Sequence, residues 1–284
     1  MKTVTLLLAT SLLFVARLGL AAEDARPIED AAKFKLQTPK NAALPTIWLV
    51  GDSTVRVGTP GQRGWGDELG SFFDPNKVNV VNHAIGGRSS RTFQTEGRWA
   101  NSLALMRKGD FVLIQFGHND PGPTNDNSRA RGTIRGVGEE TEEIDNLLTH
   151  QREVVHSFGW YLRKYVREAK AKGVTPVVCS PVPRKSWKDN KINRAAGSYG
   201  GWAAQVAKQE GGAFVDLNEI IARGYEQMGQ EAVNPLFADS GTHTTVAGAQ
   251  FNAQCVVAGL KALPLHPLDN YLSPAGRGVK PFVP

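Results

Sequence analysis

Four short clusters hold the residues able to do chemistry: Gly51-Asp52-Ser53-Thr54, Asn82-His83-Ala84-Ile85-Gly86-Gly87-Arg88-Ser89, Gly117-His118-Asn119-Asp120 and Asp239-Ser240-Gly241-Thr242-His243. A serine hydroxyl becomes a good nucleophile when a base takes its proton during attack. Imidazole titrates near neutral pH, so His243 is the candidate base for Ser53. Acyl transfer through a covalent intermediate is the chemistry such a pair performs. Taken singly, each cluster has a plainer reading. Gly-Asp-Ser is also a helix N-cap, Asn82 with its glycines also a strand-to-helix turn, and Gly-His-Asn-Asp also an Asx-rich turn. A single histidine in a loop is more often a hydrogen-bonded cap than a base. Six histidines occur without HExxH or another metal-ligand spacing, so no metal site is expected.

The clusters matter only if a scaffold carries them to one place. Short, nearly continuous apolar runs at residues 46–50, 78–82, 111–116, 174–179 and 213–215 predict five strands buried on both faces, as in a parallel sheet. Helical patterns separate them. The longest is expected over 150–172, where Val154, Val155, Phe158, Tyr161, Leu162, Tyr165 and Val166 form one stripe before Gly173. Others are expected over 66–73, 199–209, 217–228 and 245–263. Strands alternating with helices specify a doubly wound α/β domain, which binds ligands beyond the carboxyl ends of its strands. Three clusters follow predicted strands, and the fourth opens the helix at 245. The irregular stretch 121–143 follows the third strand and reads equally as a rim of the cleft or as a solvated excursion.

Residues 1–22 carry a basic start at Lys2, an apolar run from Val4 to Val15 and small residues at Ala21 and Ala22, the pattern of a secretory signal peptide. The run is too short to span a bilayer comfortably, so export to the periplasm or medium is expected, with no membrane anchor. Residues 23–45 read as an N-terminal extension and 46–284 as one catalytic domain. The formal charge is +6, from 33 basic and 27 acidic residues, and loss of Lys2 and Arg17 leaves +4. That excess suits an anionic substrate but is scattered, with no basic stripe interleaved with aromatics, so a nucleic-acid partner is not expected. Cys179 and Cys255 could pair after export or remain two buried thiols; both readings stay open.

The four clusters together, in this order, resemble the four blocks of the SGNH (GDSL-type) hydrolase superfamily. The string Ile114-Gln115-Phe116-Gly117-His118-Asn119-Asp120 looks like its rhamnogalacturonan acetylesterase branch. The resemblance runs from about Thr46 to Leu263, with support from Gly64-Trp65-Gly66, Ser180-Pro181-Val182-Pro183-Arg184 and Phe214-Val215-Asp216-Leu217-Asn218. It implies a three-layer α/β/α fold around a five-stranded, flavodoxin-like parallel sheet. It implies a secreted, monomeric enzyme that removes O-acetyl groups from plant cell-wall polysaccharide without a cofactor. Ser53 would be the nucleophile and His243 the base, and the backbone N–H groups of Ser53 and Gly87 with the Asn119 amide would form the oxyanion hole. The family's acid usually stands three positions before the histidine, where this chain has Ser240. Asp239, four positions before, is the expected substitute, the alternative being a weakened Ser-His pair with no acid. An esterase for other acetylated glycans or small esters, and a glycan-binding protein with a decayed site, remain as alternatives. Arg184 could meet a substrate carboxylate or make a surface ion pair, and Trp65 and Trp187 could stack on sugars or simply pack.

Overall fold

The computed structural model describes residues 36–284, so the expected signal peptide and most of the extension lie outside the described residues. In chain order the first half contains β1 (Thr46–Gly51), α1 (Trp65–Glu68), β2 (Asn79–Asn82), α2 (Ser90–Thr95), α3 (Arg98–Leu105), β3 (Phe111–Gln115), β4 (Thr141–Asn146) and β5 (Gln151–His156). The second half contains α4 (Phe158–Ala171), β6 (Thr175–Cys179), β7 (Trp187–Lys188), β8 (Lys191–Ile192), α5 (Tyr199–Gln209), β9 (Ala213–Val215), α6 (Leu217–Met228), α7 (Gln230–Val233), α8 (Val246–Lys261) and α9 (Pro274–Gly278).

The five apolar runs form one parallel sheet in the order β2-β1-β3-β6-β9, the flavodoxin-like arrangement. Trp48 of β1 lies opposite Val81 of β2 and Val112 of β3, which sets the register. Alternation along β1 divides the core. Ile47 and Leu49 join Leu113 and Val177 under α1, α6 and α8, while Trp48 and Val50 join Val112, Ile114 and Val178 under α2, α3, α4 and α5. Two covered faces explain why these strands read as continuous apolar runs. The topology reverses between β1 and β3, and the ends of these two strands carry the Ser53 and Asn119 clusters. Cys179 and Cys255 are both buried free thiols, and burial pushes each up to about 12. No helix among the described residues is long and apolar enough to cross a membrane.

The helix expected over 150–172 is a correction. Only Phe158–Ala171 is helical, and residues 151–156 form β5, antiparallel to β4, with Glu143 opposite Val154. The buried positions of β5 are Glu153 and Val155, a period of two that the neighbouring valines disguised as a helical stripe. Ser157 starts the helix by accepting the Trp160 N–H at 3.1 Å. Strand pairing decides the rest: Glu153 is buried where it meets Arg91 of α2 at 2.7 Å and the Asn146 amide at 2.6 Å. The irregular stretch accordingly stops where β4 begins at Thr141, short of its expected end at 143. Helices α2 and α3 also escaped the sequence patterns, although Ser89 and Thr92 form a reciprocal capping box at the start of α2.

Candidate active site

Ser53 sits in the turn that leaves β1. The turn is braced from beneath by a chain of buried side chains. The Trp65 indole donates to Gln115 Oε1 at 2.8 Å, and Gln115 Nε2 donates to Thr54 Oγ1 at 2.6 Å. Thr54 in turn donates from its backbone N–H and its hydroxyl to Asp52 Oδ1, at 2.9 and 2.7 Å. Asp52 is completely buried and makes these local bonds rather than reaching the histidine. Trp65 is therefore a packing residue. Trp187 likewise packs against the core and does not line the cleft.

His243 comes from the loop before α8, 190 residues along the chain from the serine, and its Nε2 lies 2.8 Å from Ser53 Oγ. The loop is tied to the segment after the serine: Arg63 N–H donates to the Thr244 carbonyl at 2.8 Å, and the Thr244 hydroxyl donates to the Arg63 carbonyl at 2.7 Å. His243 Nδ1 meets Asp239 Oδ2 at 2.5 Å. An ionised carboxylate only accepts, so Nδ1 carries the proton and Nε2 is left free to take one from the serine. Asp239 Oδ1 accepts the backbone N–H groups of Gly241, Thr242 and His243 at 2.9, 2.7 and 3.0 Å. Burial pushes the Asp239 carboxyl up, but these backbone bonds and the imidazole outweigh it and hold the group well below the usual carboxylate range. The extra residue between acid and base is absorbed locally. Ser240 turns outward to solvent, and Gly241 takes φ +153° against Lys185, where a Cβ would come within 3.1 Å of the lysine side chain.

The second and third clusters close around the serine. Gly86 packs beside the serine, and a Cβ there would lie 3.5 Å from Ser53 Cβ, in ordinary van der Waals contact. Gly87 has φ +82°, a left-handed conformation that other residues adopt only at a cost. The Asn119 amide donates to the Arg88 carbonyl at 2.8 Å, which fixes its plane beside the Gly86-Gly87 turn. Beneath it, buried Asp120 accepts the Ser90 N–H at 3.0 Å and the Ser90 hydroxyl at 2.5 Å, joining the third cluster to the start of α2. Burial pushes the Asp120 carboxyl up to about 7. Ser53, Gly87, Asn119 and His243 line one open cleft of about 1350 Å³, and Asp239 stands behind the histidine. The structure thus brings all five sequence-expected residues together. A hydroxyl bonded to an imidazole that is itself oriented by a carboxylate can open an ester by covalent catalysis.

Sequence reasoning singled out Arg184, which does line the cleft, but passed over Arg56, Arg129 and Arg131. The last two lie on the irregular stretch after β3, whose rim position is thereby observed. Its richness in arginine was the available signal. Among the described residues no group of three or more His, Cys, Asp or Glu side chains could hold a metal ion.

The GDSL-like lipase/acylhydrolase family matches residues 49–251. A rhamnogalacturonan acetylesterase of Emericella nidulans is 34% identical over 78% of this chain and 86% of its own. A probable rhamnogalacturonan acetylesterase of Bacillus subtilis is 32% identical over 77% of this chain and 94% of its own. Among solved structures, the Bacillus subtilis protein YxiM superposes with a TM-score of 0.62 at 27% identity, covering 77% of this chain and 56% of that longer one.

Proposed function

This chain belongs to the GDSL-like lipase/acylhydrolase family and is a carboxylic ester hydrolase, and from that premise we propose that it is an exported enzyme that deacetylates the rhamnogalacturonan of pectin through Ser53. Its relatives make carbohydrate acetylesterase the general activity. The observation that carries the mechanism is the Ser53–His243–Asp239 relay, with 2.8 and 2.5 Å contacts between groups of which the serine stands far from the other two in the chain.

In the proposed cycle Ser53 Oγ attacks the acetyl carbonyl carbon as its proton passes to His243 Nε2. Negative charge gathers on the carbonyl oxygen, which the N–H groups of Ser53 and Gly87 and the Asn119 amide receive. The intermediate collapses, the C–O bond to the sugar breaks, and His243 returns its proton to the departing sugar hydroxyl. Water then repeats the sequence on acetyl-Ser53, releasing acetate and the free enzyme. Asp239 keeps Nδ1 protonated and stabilises the imidazolium that forms in each half-cycle. These side chains and backbone groups, with the proton of the attacking water, account for every proton and charge the two steps require.

The test has two stages. The purified mature protein should hydrolyse a chromogenic acetate ester, and Ser53→Ala should lower kcat by about 10⁶, as loss of such a nucleophile does elsewhere. A Ser53→Ala protein of undiminished activity would overturn the mechanism. Acetate should then be released from acetylated rhamnogalacturonan faster than from acetylated xylan, and the reverse order would overturn the substrate.

A further inference from the structure

Among the described residues six arginines line the cleft, Arg56, Arg63, Arg88, Arg129, Arg131 and Arg184, facing only two carboxylates, Asp67 and Glu96. Arg63 is paired with Glu68 at 2.7 Å and Arg88 with Glu96 at 2.9 Å. The other four make no ion pair among the described residues, whereas arginines elsewhere are commonly paired, as Arg91 is with Glu153 and Arg194 with Glu219. Guanidinium groups without an ion-pair contact among the described residues are thus gathered in the cleft a substrate must enter.

Three of the four are held rather than free. Arg131 Nη1 donates to the Gly87 carbonyl at 3.1 Å, Arg56 Nη1 donates to the Asn82 carbonyl at 3.0 Å, and Arg184 Nη1 donates to the Thr242 hydroxyl. Each anchor uses one of five N–H donors and orients the planar fork. The anchors flank the reacting serine: Gly87 lies on the turn packed against Ser53, and Thr242 immediately precedes His243. Burial, and after it the neighbouring Arg129 charge, lower Arg131 from its ordinary value despite the opposing pull of Asp120, Asp126 and Asp52, none of which is in ion-pair contact with it, the mark of a partly desolvated cation. A carboxylate arriving there gains charge-assisted, bidentate hydrogen bonds that a neutral sugar cannot make.

We infer that Arg131 and Arg184, aided by Arg56 and Arg129, form a carboxylate subsite that binds uronate groups of the bound glycan and gives the enzyme a preference for acidic over neutral glycans. The inference rests on the cleft being the carbohydrate-esterase site proposed above, and it adds the residues that read the polymer's charge.

Binding to the Ser53→Ala protein tests it without turnover. Calorimetry would compare an unacetylated oligogalacturonate with the same oligomer after its carboxyl groups have been reduced to alcohols. The acidic oligomer should bind at least about tenfold more tightly, the scale of one hydrogen-bonded charge contact. Adding Arg131→Gln or Arg184→Gln should bring the two oligomers toward equal affinity, and Arg131→Lys, which keeps charge without the fork, should fall between. Equal or undetectable affinity for both oligomers with all four arginines present overturns the inference, as does an acid preference that survives both glutamine substitutions. Failure of the pectin reading would register separately, as absent acetate release by the wild-type enzyme.

Discussion

Replacing the Asp239 carboxylate by a carboxamide, Asp239→Asn, tests the relay at its least expected member. The oxygen of the new amide can keep the three backbone N–H bonds that Oδ1 now accepts at 2.7 to 3.0 Å, so the loop should hold its shape. The NH₂ group would then face His243 Nδ1 across the present 2.5 Å contact. Two donors cannot share that contact, so Nδ1 becomes the acceptor and the ring proton moves to Nε2. That nitrogen would donate to Ser53 Oγ, 2.8 Å away, and could no longer take the serine proton. Loss of the correct tautomer costs about 10⁴ in kcat in the best-studied triad. At 1.36 kcal/mol per factor of ten, this is about 5.5 kcal/mol of transition-state stabilisation.

The assay is steady-state hydrolysis of a chromogenic acetate at pH 7 to 8, with thermal unfolding as a check on the fold. KM should stay within about threefold, because Asp239 does not line the cleft. Ser240→Ala, at an exposed position, should change kcat by less than about twofold. If Asp239→Asn kept activity within a factor of ten, or if Ser240→Ala were the more damaging change, the assignment of the acid would be wrong. The depressed Asp239 pKa fixes a further sign. Its stabilising contribution is present above the ordinary value of 3.8 and is lost as pH falls through the lower native value, so Asp239 remains ionised throughout the neutral range.

Asn119→Ala should lower kcat by about 10²–10³ with little change in KM, because the amide is used most when the oxyanion forms; a loss confined to KM would argue against that role. Asp120 supplies a pH signature. Its native pKa is raised from 3.8 to about 7, so the native state holds the proton more tightly than the unfolded chain. The resulting stabilisation is complete below about pH 4 and lost as pH rises through 7. Asp120→Asn, neutral throughout and still able to accept from Ser90, should therefore gain Tm relative to wild type between pH 4 and pH 8, and a constant Tm difference would contradict the assignment.

The five central strands and the helices at 199–209 and 217–228 were legible because burial on both sheet faces and a clean helical stripe are local patterns. Their order placed Ser53 and Asn119 at the carboxyl ends of neighbouring strands, and residue chemistry made His243 the base. The spacing of the last cluster left its acid open, because Asp239 reaches the imidazole only through an outward turn at Ser240 and Gly241 that no periodicity records. The hairpin over 141–156 was hidden for a similar reason: Val154 and Val155 suit either a helix or a strand, and pairing with β4 and the buried Arg91–Glu153 contact decided between them. The cleft arginines are the clearest case. Arg184 was a candidate in the sequence but Arg131 looks like any other cation there, and only the folded molecule shows that both line the cleft and that neither makes an ion pair among the described residues. Patterns that repeat every two or four residues are carried by the chain itself, whereas contacts between distant loops exist only once the sheet has fixed where those loops begin.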